Sequence, residues 1–124
     1  MAVLDSSAII HLLADTPIGE KIYEQFTDQI TSTTAICMHE VLVGLKDYYR
    51  PAALQFFHGL EILAFDQKAA EHSSQLSVKL SKLGKPLSQG DLFIASICLL
   101  HDIPLITTDK GFTQIQGLKV YLVK

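Results

Sequence analysis

Long hydrophobic runs, surplus positive charge and cysteine are all scarce in this chain of 124 residues. The longest apolar stretch, Leu92 to Leu100, is interrupted by Ser96 and falls far short of the roughly 20 residues a membrane-spanning helix needs. It reads as a buried helix, and no membrane contact is expected. Asp5 arrives before any apolar segment long enough to serve as a secretory signal, and no basic region precedes it, so a cytoplasmic location is expected. The two cysteines, Cys37 and Cys98, have neither metal-ligand spacing nor a disulfide-rich setting and read as buried, reduced thiols. Polar low-complexity tracts, internal repeats and long linkers are missing as well. That excludes disorder and leaves residues 1–124 as one expected domain around one core.

What is there is a succession of short apolar runs and helical segments with clear punctuation. Ala2-Val3-Leu4 is strand-like and delivers through Asp5-Ser6-Ser7 into a helix carrying Ile9, Ile10, Leu12 and Leu13. Thr16-Pro17 fits a capping residue with proline in the first helical position, opening a second helix to about Phe26. Ile30 to Thr34 is a short β-prone run, followed by a helix from about Ala35 to Asp47 and another from Pro51 to about His58. Leu60 to Phe65 is the next strand candidate, with Asp66 placed to cap a long helix that stops near Gly84-Lys85-Pro86. Ser88 to Asp91 starts a further helix reaching about His101, and Leu105 to Thr107 and Leu118 to Val123 are the last strand candidates. Strands separated by helices predict an α/β fold, a central parallel sheet flanked by helices on both faces. In such sheets ligands bind beyond the carboxyl ends of the strands, where both Asp5 and Asp109 fall.

Four acids stand out, each with a plain reading beside a functional one. Asp5 ends the first strand with two hydroxyls next to it, but an aspartate before a helix is also an ordinary N-cap. Glu40 lies in an otherwise apolar helix, so it is expected to be at least partly buried and in need of a cation, a metal or a network of donors, unless it reaches solvent. Gly44, one turn on, would let another segment or a ligand approach closely. Asp91 follows Ser88 at the spacing of a capping box, and it could equally project from the helix start into a crevice. Asp109, between Thr107-Thr108 and Lys110-Gly111, makes a good turn residue or a fourth acid at a strand end.

Oxygen-only ligands suit hard cations such as Mg²⁺ or Mn²⁺, and two such ions can stabilise the attacking and leaving oxygens of a phosphodiester displacement. A formal charge of −3 looks unsuited to a polyanionic substrate, but it becomes +1 once the four candidate acids are set aside. Attraction would then come from bound cations. None of His11, His39, His58, His72 and His101 has metal-site pairing, and each reads as structural or exposed. Lys79, Lys82 and Lys85 recur every three residues, which describes a solvated face or an RNA contact.

Taken together, Asp5-Ser6-Ser7-Ala8-Ile9-Ile10, the Glu40-x-x-x-Gly44-Leu45 helix, Asp91-Leu92-Phe93-Ile94-Ala95 and Thr107-Thr108-Asp109-Lys110-Gly111-Phe112 resemble the four motifs of PIN-domain nucleases. Order and spacing match over essentially the whole chain, and a stand-alone chain of this size is most similar to the VapC toxins of toxin–antitoxin pairs. The resemblance implies a Mg²⁺- or Mn²⁺-dependent endoribonuclease acting on RNA with a metal-activated water. It further implies inhibition by a VapB-like antitoxin whose tail occupies the toxin's groove, and a homodimer. By position, Asp5, Glu40, Asp91 and Asp109 become the catalytic, metal-binding acids, with Ser7 and Thr107 as supporting hydroxyls. One departure stands out: many relatives carry another acid shortly after the fourth motif aspartate, where this chain has Gly111, so the number of metals is left open. Two rivals remain, a phosphorelay receiver domain with Asp66 as phosphoacceptor and a catalytically silent PIN-like binding module. A receiver needs a pair of acids after the first strand, and only Asp5 is present.

Overall fold

The computed structural model describes residues 1–124, and it opens with strand β1 (Ala2–Leu4) running straight into helix α1 (Ser6–Ala14). Helix α2 (Pro17–Phe26) starts where Thr16 accepts the Gly19 N–H through its side chain, with Pro17 in the first turn as the sequence predicts. Strand β2 (Ile30–Thr34) passes into helix α3 (Ala35–Gly44), whose first turn is closed by the Thr34 hydroxyl accepting from the Cys37 N–H at 3.0 Å. Helix α4 (Arg50–His58) and strand β3 (Glu61–Leu63) follow, then helix α5 (Gln67–Lys82), capped by the Asp66 carboxylate on the Ala69 N–H. Gly84 ends that segment at a φ of +70°, a conformation that costs glycine little. Helix α6 (Gln89–His101), strand β4 (Leu105–Thr107) and strand β5 (Val120–Leu122) complete the chain.

All five strands are parallel, in the order β3-β2-β1-β4-β5. Consecutive residues of a strand point to opposite faces, and every residue of β1 and β4 is buried, so both faces of the sheet are covered. Leu4, Ile9, Ile22, Phe57, Ile94 and Phe112 are among the largest fully buried side chains. The hydroxyl-rich strand β2 is accommodated in the middle of the sheet because Ser32 and Thr33 donate to the Ala2 and Leu4 carbonyls at 3.1 and 2.6 Å. Helix α2 crosses α1 so closely that a β-carbon at Gly19 would stand 2.3 Å from the His11 carbonyl oxygen.

Three sequence expectations change. Helix α3 ends at Gly44, not Asp47, and a short 3₁₀ turn occupies Asp47–Tyr49; nothing lies within 4 Å of a β-carbon at Gly44, so no segment exploits its small size. Strand β3 is three residues long because its only partner, β2, turns into α3 after Thr34, leaving Ala64 and Phe65 without a ladder to join. The receiver reading fails on topology: receivers have the order 2-1-3-4-5, whereas here Asp66 follows an edge strand and its carboxylate is used as a helix cap.

Candidate active site

The order of strands reverses its direction of travel between β1 and β4, and this is the point at which a parallel sheet opens a crevice at its carboxyl edge. Asp5 leaves β1 there, its N–H donating to the Ile106 carbonyl at 2.9 Å. It occupies the capping position of α1, yet its side chain makes no capping bond. The carboxylate turns instead toward β4, where the Thr107 hydroxyl donates to Oδ2 at 2.6 Å and the Ser7 hydroxyl donates to the same oxygen at 3.0 Å. On the other side, Ser6 Oγ stands 3.4 Å and Cys37 Sγ 4.0 Å from Oδ1. Asp5 is 3% exposed. Burial pushes its carboxyl above the ordinary aspartate value, the Thr107 and Ser7 hydroxyls pull it back, and the nearby Glu40 charge raises it further. Its donors are neutral hydroxyls and a thiol, which leave the charge itself uncompensated.

Ser7 and Thr107 tie the two strand ends together around that carboxylate. Ser7 Oγ also accepts the Thr108 N–H at 3.2 Å, and Thr107 Oγ1 accepts the Asp109 N–H at 3.0 Å. The loop carrying Asp109 is thereby fixed to the loop carrying Asp5. The Asp109 carboxylate is exposed and accepts the Gly111 N–H at 2.8 Å, the bond of a turn-forming residue. A β-carbon at Gly111 would stand 3.1 Å from Asp109 Oδ1, and an acid at that position would crowd the one already there.

Glu40 is exposed, contrary to the expectation of partial burial. At about 100° per residue it lies some 60° around α3 from the buried Cys37, at the margin of the apolar stripe, and so it reaches the rim of the crevice. Ser6 Oγ donates to its Oε1 at 2.8 Å. Asp91 sits in the first turn of α6, half-buried, its backbone N–H donating to Ser88 Oγ at 3.3 Å. Burial raises its carboxyl, the Ser88 hydroxyl lowers it, and the charges of Asp5 and Asp109 raise it again. Asp5 therefore feels Glu40, and Asp91 feels both Asp5 and Asp109.

No three His, Cys, Asp or Glu side chains converge tightly enough here to ligate one ion together. The donor chemistry nevertheless fits a hard divalent cation: carboxylate and hydroxyl oxygens, a buried carboxylate without a cationic partner, and an ion type held by one or two carboxylates plus its own waters. Asp5, Glu40, Asp91 and Asp109 are the residues that could hold it. Sequence reasoning placed the Ser6 hydroxyl beside Asp5 without connecting it to Glu40, and it passed over Gly90. Ser6, directly after Asp5, bridges toward Glu40, and Gly90, directly before Asp91, lies so close that a β-carbon on it would stand 2.7 Å from Glu40 Oε2. Adjacency to a motif acid was the only signal for either. Cys37 and Cys98 are free and buried as expected, Cys37 pushed up to about 12 by burial, with Asp5 adding to it. Lys79, Lys82 and Lys85 are exposed, and none hydrogen-bonds to the acids.

The family model of the PIN domain matches residues 2–118. The chain is 28% identical to the ribonuclease VapC5 of Mycobacterium tuberculosis, over 93% of this chain and 87% of that protein. It is 25% identical to the tRNA(fMet)-specific endonuclease VapC of Salmonella typhimurium, over 95% and 94% of the two. Among solved structures it is similar to VapBC2 from Rickettsia felis bound to a DNA fragment from its promoter, with a TM-score of 0.84 and 21% identity over 98% of this chain and 97% of that one. A sheet opened between β1 and β4, a buried aspartate at that opening and a family match spanning nearly every residue agree: the chain belongs to the PIN domain family.

Proposed function

We propose that this chain is a divalent-cation-dependent endoribonuclease, the toxin of a VapBC-type pair, with Asp5, Glu40, Asp91 and Asp109 holding Mg²⁺ or Mn²⁺. The observation that carries the proposal is Asp5 itself: a buried carboxylate at the sheet's switch point, oriented by two hydroxyls and left without a cationic partner. Keeping such a group charged costs roughly several kcal/mol of desolvation that neutral hydroxyls offset only in part, and a bound cation would offset the remainder. When bound, the cation supplies charge neutralisation at the phosphate and a lowered pKa for the attacking water.

The chain's own residues do the rest. Thr107 and Ser7 fix Asp5 Oδ2, so one oxygen is committed to the protein while Oδ1 faces Ser6 and Cys37, with Ser6 bonded in turn to Glu40. Asp91, on a separate element, feels the charges of Asp5 and Asp109, and that repulsion favours any arrangement that places positive charge between them. RNA is the substrate, as in the names of both curated relatives. Cleavage with a water nucleophile leaves 5′-phosphate and 3′-hydroxyl ends.

The partner is a VapB-like antitoxin, offered a basic side chain's place among the acids and an apolar groove of about 440 Å³ lined by Ile10, Leu13, Leu45, Tyr49 and Ala53. Of the apolar positions that the first two helices carry, Ile22 is fully buried, Phe26 packs against Tyr121 and Ile10 is half-exposed, so the available surface lies between α1 and α4 rather than along α1 and α2. The toxin is a cytoplasmic homodimer in this reading; no helix is long and apolar enough to cross a membrane. The test is cleavage of single-stranded RNA by purified protein with Mg²⁺ or Mn²⁺, arrest by chelator, and analysis of product ends. Undiminished cleavage in excess chelator, or cyclic-phosphate ends, overturns it; no cleavage under any metal leaves the silent binding module.

A further inference from the structure

Glu40 is an exposed side chain on a helix whose neighbours do not enclose it, and with three torsions it is longer and more flexible than the three aspartates. Such a carboxylate ordinarily samples several rotamers, and ordering it on binding a ligand weakens affinity. Here Oε1 is held by a hydrogen bond, and Oε2 occupies a space that only a glycine leaves open. Oε1 accepts the Ser6 hydroxyl at 2.8 Å, and the same hydroxyl oxygen stands 3.4 Å from Asp5 Oδ1, so one serine spans the two carboxylates. Ser6 has a single proton, and the shorter contact assigns it to Glu40. Oε2 lies over the bare α-carbon of Gly90, in the space a β-carbon would fill at 2.7 Å. Three helices meet at this point: α1 supplies the donor, α3 the acid, and α6 the gap.

We infer that Ser6 and Gly90 are positioning residues for Glu40, fixing its carboxylate beside Asp5 before any cation arrives and so raising the site's divalent-cation affinity. The inference rests on the metal-binding reading above. It has a distinctive signature, because Gly90 is in the first turn of α6, where alanine is a better helix former than glycine. Gly90→Ala is therefore expected to leave the apo-protein as stable as the parent or more so, while displacing Glu40 and weakening the cation site. A residue serving the fold alone would lose stability and leave affinity unmoved.

The experiment titrates the full-length protein with Mn²⁺ alone, reading free ion by electron paramagnetic resonance, and records melting curves in chelator. Gly90→Ala and Ser6→Ala are expected to weaken Mn²⁺ binding about two- to tenfold, the range for one side chain released from a fixed rotamer. Ser6→Thr, which keeps the hydroxyl, restores affinity. Gly44→Ala, on the same helix as Glu40 with open space around the new methyl, leaves it unchanged. Parental affinity in both Gly90→Ala and Ser6→Ala overturns the positioning role while leaving the metal site intact. Absence of Mn²⁺ binding by the parent protein overturns the metal-binding reading itself, and this inference with it. Should Gly90→Ala fail to fold, Ser6→Ala against Ser6→Thr decides alone.

Discussion

Thr107→Val isolates the contact on which the buried acid depends. Valine nearly matches threonine in shape, so the change removes a hydroxyl from a fully buried position without opening a cavity. That hydroxyl donates to Asp5 Oδ2 at 2.6 Å and accepts the Asp109 N–H at 3.0 Å. A hydrogen bond to a charged partner contributes about 1.5–3 kcal/mol, and for a chain of this size each kcal/mol moves the melting temperature by about 4 °C, which predicts a loss of roughly 6–12 °C at neutral pH. Acidification should shrink the loss. The Thr107 hydroxyl favours the ionised form of Asp5, whose folded value lies above 3.8, so its contribution is present while Asp5 is charged and fades as pH falls through that raised value. Thermal melts by far-ultraviolet circular dichroism in chelator, across that range, provide the assay. Thr107→Ser keeps the hydroxyl and should cost at most about 1 kcal/mol for the lost methyl, with no pH dependence. A deficit below about 2 °C at neutral pH, or one that stays constant down to pH 3.8, refutes the reasoning.

Asp91→Asn should abolish cleavage by about 100-fold or more while sparing or raising the melting temperature in chelator, because it removes repulsion with Asp5 and Asp109 and the helix cap uses the backbone N–H of residue 91; a collapsed fold would mean the carboxylate is structural. Asp5 and Asp91 both have raised folded values, so the folded state binds protons more readily than the unfolded one, and these two groups should add stability as pH falls from neutral through those values toward 3.8. Calorimetry of the parent and an Asp5→Asn/Asp91→Asn pair in chelator isolates that gain, and equal pH profiles for the two would contradict it. Mg²⁺ at ten times its dissociation constant should raise the parent's stability by about 1.4 kcal/mol and do nothing for the pair, as melts with and without the ion will report. Gly19→Ala, which forces a methyl to 2.3 Å from a backbone carbonyl, should destabilise by about 2–4 kcal/mol through separation of α1 and α2; a variant melting with the parent would mean the crossing adjusts freely.

Sequence alone determined what is local. Capping at Thr16, Asp66 and Ser88 and the stop at Gly84 follow from contacts within four or so residues, where side chain and backbone meet whatever the rest of the chain does. The order and spacing of the four motifs likewise pointed to the family whose model matches residues 2–118. Tertiary structure decided the remainder. Strand order, which removes the receiver reading, depends on pairings such as Val3 with Leu105, more than one hundred residues apart, and no local pattern encodes them. The same separation hides the Ser7–Thr108 and Thr107–Asp5 bonds, so nothing in Leu4-Asp5-Ser6 reveals that the carboxylate turns from its own helix toward β4. Glu40 read as at least partly buried because its helix is apolar, but exposure depends on which neighbours cover a helix, and its carboxylate reaches Ser6 and the bare backbone of Gly90 at an exposed position. Burial and approach distance are properties of packed surfaces, and they exist only once distant segments have come together.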